Sequence, residues 1–302
     1  MGSPEFAVST LEALHCTPGI EVVRVVTQPD RPKGRGQHLA PTPVKAYAND
    51  RGLPVVTMTK ADYAEVVAGL RALDPDFVVV ASFGIILKRD LLELPRHGCV
   101  NLHASLLPKY RGVSPIQAAI LAGDAETGCT TMLMDEGIDT GAMLLTVRVA
   151  IDPADTAATL QRKLAAAGGP LVVKTLAGIL DGSVRPAAQD DASASYTRKV
   201  RKEHGEIDWT KSAAAIERQV RAMLPWPSAY TGLSGKRLIV LEAAVSTGAV
   251  GAPGVVLSTS PLVVAAGEGA LEIRRVKVEG KAEMTARAFL SGYRLRTGDR
   301  LD

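Results

Sequence analysis

The chain has 302 residues, 46% of them hydrophobic and 22% charged, with a formal net charge of +3. That length holds one large domain with its own core and a smaller second one, and the composition excludes a disordered or low-complexity protein. Cys16, Cys99 and Cys129 are too few and too scattered for a zinc cluster or a disulfide framework, and no apolar run approaches the ~20 residues of a membrane span; a cytoplasmic, metal-free protein that engages no membrane is the expectation.

A parallel α/β domain ordinarily begins on a strand. Here Gly2-Ser3-Pro4 leads straight into a helical pattern over residues 7–14, so either the domain does without that strand or the chain is shortened at its N-terminus. Residues 22–27 (VVRVVT), 77–82 (FVVVAS) and 99–103 (CVNLH) are short and mostly apolar, as strands covered on both faces are. Helical patterns over 42–51 and 63–73 lie between them, and this alternation predicts an α/β domain with a mostly parallel sheet. Residues 27–45 leave the first strand as a long loop with four prolines, two glycines and Arg31, Lys33, Arg35 and Lys45. Loops of this length inside a compact domain are usually functional or disordered, and a basic one suits a phosphate-rich substrate.

Ser114-Pro115 opens a helix to about residue 121, serine capping it and proline sitting in its first turn. Strands over 130–134 and 143–151 close the domain. A helical pattern follows over 157–180, which Gly168-Gly169 is expected to kink or break. Residues 181–202 are small and polar, the composition of a surface linker. The domains expected are therefore 1–182, a linker over 183–204, and 205–302. In the last of these, helical spacing over 213–223 precedes short β-like runs at 238–245, 254–257, 261–266 and 271–277, which predict a small barrel. Residues 1–200 carry 20 Lys/Arg against 21 Asp/Glu, whereas 201–302 carry 15 against 11. A basic C-terminal module can hold a polyanion by its phosphates, although an ordinary surface with scattered basic residues has the same balance.

The stretch 98–112, GCVNLHASLLPKYRG, concentrates the chemistry. Alternate side chains of a strand share a face, so Asn101 and His103 point the same way. They stand at the strand's carboxyl end, where open α/β sheets bind ligands, and offer two donors to one small oxygen-bearing group; a lone structural histidine is the simpler alternative. Some thirty-five residues on, MDEGIDTGAML brings Asp135, Glu136 and Asp139 into a turn made by Gly137 and Gly141. One of these carboxylates brought against His103 would orient the imidazole and help move a proton; spacing alone does not rank the three. The sequence has no G-x-G-x-x-G, P-loop, G-x-S-x-G or H-E-x-x-H, so dehydrogenase, serine hydrolase and zinc protease readings have no support.

GSPEFAVSTLEAL, TQPDRPKGRG, NLHASLLPKYRG, DEGIDTG, EIDW at 206–209 and PWPSAYT at 225–231 together resemble the 10-formyltetrahydrofolate-dependent formyltransferases, over nearly the whole chain. NLHASLLPKYRG is similar to that family's N-x-H-x-S-L-L-P-x-x-x-G signature and DEGIDTG to its Asp-bearing turn; these two carry the specificity. The resemblance implies a Rossmann-like formyltransferase domain followed by a small OB-like β-barrel. It implies a catalytic trio of Asn101, His103 and Asp139, and a folate site lined by Ser105, Leu106, Leu107 and Pro108. It further implies 10-formyltetrahydrofolate as formyl donor, no metal, and a monomer. The basic loop resembles an insertion of the members that act on initiator methionyl-tRNA, which implies that Arg35, with Lys33 and Arg31, lies nearest the acceptor end.

Transfer to a sugar-nucleotide amine is the alternative, and the TQPDRPKGRG loop argues against it, as against the hydrolase domain of formyltetrahydrofolate dehydrogenase. A glycinamide-ribonucleotide formyltransferase would not need about a hundred further C-terminal residues. An RNA-binding module with a dead α/β domain would keep the basic tail without needing Asn101, His103 and Asp139 together. The sequence departs from the family at the front, where members carry a short apolar strand before the G-[ST]-P segment.

Overall fold

The computed structural model describes residues 1–33, 36, 38–233, 235–248 and 250–302. They form two units, one of Met1–Pro115, Glu126–Ala150 and Gln161–Thr197, the other of Ile116–Ala125, Ile151–Leu160 and Arg198–Asp302.

In the first unit, α1 (Glu5–Cys16) buries Phe6, Leu11 and Leu14 and leads to β1 (Val25–Thr27). The basic loop is a hairpin, β2 (Arg31–Lys33) against β3 (His38–Ala40). α2 (Pro43–Asp50) starts where Thr42 accepts from the Lys45 amide and Pro43 supplies a fixed first turn. β4 (Val55–Thr57), α3 (Tyr63–Arg71), β5 (Val78–Val80), the short α4 (Arg89–Leu92) and β6 (Cys99–His103) follow. β1 pairs with β4 and β5 with β6, both parallel. After β7 (Arg111–Gly112) the chain passes through α5 (Pro115–Ala122), which from Ile116 belongs to the second unit, and then β8 (Glu126–Leu133) and β9 (Met143–Ala150) extend the first unit's sheet antiparallel from β6, in the order β5-β6-β8-β9. The sheet is Rossmann-like and parallel through β6.

Met1 and Gly2 run between β1 and β5. The Gly2 amide donates to Val26 O at 3.0 Å, and the Ala81 amide to Met1 O at 2.9 Å. A cavity of about 710 Å³ adjoins them, lined by Leu11, Leu14, Val25, Phe77, Val79 and Leu176 among others.

α6 (Ala157–Leu180) is one continuous helix, with Pro170 inside it, so the break expected at Gly168-Gly169 does not occur. A Cβ on Gly168 would stand 2.6 Å from Leu102 Cδ2, and one on Gly169 2.8 Å from Ser9 O. The glycines are there to let the helix approach β6 and α1 closely. α6 is also long and apolar enough to cross a membrane, but it buries Leu164, Val172 and Leu176 in the protein as a core helix does. Residues 183–197, linker-like in composition, are tied down along their length. Ala187 pairs with Met143 in both directions at 2.8 Å, and β10 (Tyr196–Thr197) runs parallel to β7.

The second unit builds on α7 (Ala213–Ala222), capped by Ser212. Its antiparallel sheet contains β11 (Ala229–Leu233), β12 (Lys236–Ser246), β13 (Val256–Thr259), β14 (Leu262–Ala265), β15 (Ala270–Val278) and β16 (Glu283–Thr285), in the order β11-β12-β15-β14-β13 with β16 beside β15. α8 (Ala286–Gly292) follows, and Trp209, Ile216, Leu238, Val264, Ile273 and Phe289 lie in the core. The last residues bond to both edges of the sheet: Gly232 donates to Asp302 O at 2.8 Å, and Val256 to Asp299 O at 2.8 Å. Unpaired edges invite association, and here the tail covers them, in keeping with the OB-like expectation.

Candidate active site

β6 has a strand on either side, and all five of its residues are buried. Asn101 and His103 therefore share one face, 8% and 6% exposed. Asn101 has a side-chain amide that makes no hydrogen bond to any described residue. The amide is not among the fully enclosed unpaired atoms, so it opens to solvent and can reach a ligand. His103 Nε2 stands 2.9 Å from Tyr110 O. A carbonyl only accepts, so Nε2 carries a hydrogen, and attraction to the carboxylate on the other side requires one on Nδ1 as well. On the other side, His103 Nδ1 is 3.5 Å from Asp139 Oδ2.

Asp139 reaches His103 through an unusual turn. Its φ is +54°, and that of Tyr110, on the other side of the imidazole, is +60°. Residues other than glycine adopt this region at a cost and cluster at functional sites. Gly141 is required, since a Cβ there would lie 1.8 Å from Leu133 O. The carboxylate is fixed by the Gly112 amide, which donates to Oδ2 at 2.7 Å. Asp135 closes the turn itself, its Oδ1 accepting from the Gly137 amide at 3.0 Å and from Thr140 Oγ1 at 2.8 Å. Glu136 is exposed. Of the three carboxylates, Asp139 is the one against His103.

The Ser105–Pro108 stretch divides. Ser105 is fully buried, and its hydroxyl donates to Lys109 O at 2.6 Å. Leu107 is buried too, and its amide donates to Thr130 Oγ1 at 3.1 Å, while that hydroxyl donates to Ser105 O at 2.7 Å. The Ser105 side chain and the Leu107 backbone thus shape the loop from within. Leu106 and Pro108 are half-buried and remain available. Val113 and Ile138, 69% and 62% exposed, are neighbours in sequence of Gly112 and Asp139 and offer apolar surface beside the trio.

Sequence reasoning missed Thr130 and Arg111. Thr130 is legible only once β8 is known to pair with β6, where it stands opposite His103. Arg111 is 1% exposed. Its guanidinium donates to Gln189 Oε1 at 3.0 Å, Tyr196 OH at 2.9 Å and Asp191 Oδ1 at 2.7 Å. Burial opposes its charge, but the bonds to Asp191 and Tyr196 outweigh it and raise the pKa above the ordinary arginine value. All three partners lie in residues 183–197. Cys99 and Cys129 are pushed up to about 12 by burial, so neither is a thiolate nucleophile at neutral pH.

In the basic hairpin, Arg31 Nη2 donates to Gln28 Oε1 at 2.7 Å, and Gln28 Nε2 to Phe83 O at 2.8 Å, which ties the hairpin's root to the end of β5. Lys33 faces His38 across the hairpin backbone. Arg31 makes no hydrogen bond or ion pair with Asn101, His103 or Asp139, and Arg35 lies outside the described residues. Among the described residues there is also no cluster of three or more His, Cys, Asp or Glu able to hold a metal ion.

The sequence profile described as formyl transferase matches residues 1–176, and that of the formyl transferase C-terminal domain matches residues 199–294. A methionyl-tRNA formyltransferase of Magnetococcus marinus is 47% identical over 303 residues, covering 100% of this chain and 96% of the relative. One of Myxococcus xanthus is 47% identical, covering 99% and 95%. Among solved structures, an N-formyltransferase from Helicobacter canadensis in complex with folinic acid and dTDP-3-aminofucose is 21% identical, with a TM-score of 0.66, and covers 89% of this chain and 95% of its own. HypX from Aquifex aeolicus in complex with tetrahydrofolic acid is 17% identical, with a TM-score of 0.61, covering 89% of this chain and 47% of its own; at these identities the two share the fold. Matched by the family in both of its parts and close to half identical to relatives from end to end, the chain belongs to the formyl transferase family of enzymes.

Proposed function

We propose that this enzyme transfers the formyl group of 10-formyltetrahydrofolate to the free α-amino group of initiator methionyl-tRNA, giving N-formylmethionyl-tRNA for translation initiation, and that it does so in the cytoplasm as a monomer. The observation that carries the chemistry is the uncommitted amide of Asn101 on one strand face with His103, whose Nδ1 has the Asp139 carboxylate 3.5 Å away. The acceptor is assigned from the full-length relatives, which are named for methionyl-tRNA.

The amine nitrogen attacks the formyl carbon, and the carbonyl oxygen becomes an oxyanion. Asn101 donates to that oxygen directly. His103 donates to it after exchanging Tyr110 O for the substrate, a rearrangement that free sites commonly require. The carbon–nitrogen bond to the folate then breaks. The proton lost by the amine passes through the His103–Asp139 pair, directly or by a water, to the departing folate nitrogen. The amine is itself a good nucleophile, so no covalent enzyme intermediate is needed. Folate contacts fall to the loop of Ser105, Leu106, Leu107 and Pro108, while Arg31, Lys33 and Arg35 grip the tRNA acceptor end and residues 205–302 hold the tRNA through its phosphates.

Loss of one oxyanion donor typically costs ~100- to 1,000-fold in rate. Asn101→Ala and His103→Ala are each expected to lower turnover by ~100-fold or more, with binding of the folate donor little changed. Single-turnover formyl transfer and donor titration measure the two quantities. Near-normal turnover in both variants would remove the trio from the chemistry.

A further inference from the structure

Gln189 lies in the 183–197 segment, far in sequence from every residue of the trio, yet its amide is spent on their turn. Arg111 Nε donates to its Oε1 at 3.0 Å. A guanidinium has no acceptor, which fixes which end of the amide is oxygen. Nε2 therefore faces the other way, and it donates to Asp139 O at 2.8 Å and to Gly141 O at 2.7 Å. One side chain thus pins both ends of the Asp139–Gly141 turn. That turn needs holding, because Asp139 has a φ of +54° and surroundings must impose such a conformation on aspartate. The Gly112 amide, next to Arg111 in the chain, grips the Asp139 carboxylate at 2.7 Å.

We propose that Gln189 is a positioning residue for formyl transfer: anchored on buried Arg111, it holds the backbone of Asp139 so that the carboxylate meets His103. The inference rests on the reading of Asp139 as the working partner of His103. Segment 183–197 is then part of the catalytic apparatus, and its length and sequence are constrained by the turn it clamps.

Two variants separate positioning from packing. Gln189→Glu keeps an acceptor for Arg111 but turns an oxygen toward two carbonyls. Gln189→Met keeps the length of the side chain and removes both functions. Arg111 retains Asp191 and Tyr196 as partners in either. Displacing a catalytic group by about 1 Å costs ~100-fold, so both variants should lose ~10- to 100-fold in kcat while the KM for the folate donor stays within about twofold. In the Asp139→Asn background, Gln189→Met should slow single-turnover transfer no further, because the group it positions is already gone. Full activity in Gln189→Glu, loss in Gln189→Met alone, multiplicative losses in the double variant, or failure of both single variants to fold would each show a structural role and overturn the proposal. If Asp139→Asn itself turned over normally, the fault would lie with the assignment of Asp139, and the proposal would fall with it.

Discussion

Asp139 stands against His103 because its neighbours leave the chain no other course. Gly141 packs its Cα against the Leu133 carbonyl, Asp135 ties Gly137 to Thr140, and the Gly112 amide takes the Asp139 carboxylate. Each acidic residue of the turn has its own place, and substitution should sort them. Asp139→Asn removes the charge facing His103 and is expected to cost ~100-fold or more in turnover. Asp135→Asn still accepts from the Gly137 amide and Glu136→Gln alters an exposed side chain, so both should keep most activity; steady-state rates of the three variants check this. At this scale, much was legible. The period of two put Asn101 and His103 on one face, because strand geometry follows from local sequence. Three carboxylates within five residues could not be ranked, since the turn's shape depends on Leu133 and on Gln189, one preceding it and one some fifty residues beyond it.

The loop after β6 holds its shape through bonds to the neighbouring strand. Thr130 on β8 receives the Leu107 amide and bonds Ser105 O, stitching the loop to the neighbouring strand. Thr130→Val keeps the shape and leaves a buried amide without a partner, a cost of ~1–3 kcal/mol. For a unit of this size that is a fall in Tm of roughly 2–12 °C, read by thermal denaturation, with the KM for the folate donor rising as the loop loosens. The longer helices and strands are legible because their periodicity spans several turns or pleats, whereas the short α4 and α8 are not. β1, β4 and β5 have three residues each; β1 and β5 lie within the longer runs 22–27 and 77–82, whereas Pro54 interrupts the pattern immediately before β4. Gly168-Gly169 reads as a break by propensity but serves close packing against Leu102 and Ser9. The 183–197 segment reads as linker because its composition is small and polar; its anchors, Arg111 and Met143, lie far away in sequence.

On the scale of the whole molecule, the excess positive charge lies in residues 201–302, and phosphate contacts there should be salt-dependent. Arg274 and Arg275 are already engaged, with Glu272 at 3.2 Å and Glu283 at 2.7 Å, which makes them poor phosphate ligands. Arg294 and Arg296 are exposed with no ion pair to a described residue. Removing both should weaken methionyl-tRNA binding and reduce the slope of log K against log salt by roughly 1.5 to 2, leaving folate affinity unchanged. Arg35→Ala should act differently, cutting transfer to tRNA without altering donor binding.

The central claim is the pairing of this site with methionyl-tRNA as acceptor. It is tested most directly by presenting the purified protein with 10-formyltetrahydrofolate carrying a labelled formyl group, together with methionyl-tRNA or, separately, nucleotide-linked amino sugars, and following label on each amine. Rapid label transfer to methionyl-tRNA that Asn101→Ala reduces ~100-fold, with none to the amino sugars, is the result the account predicts. Label accumulating on an amino sugar while methionyl-tRNA stays unmodified would contradict it.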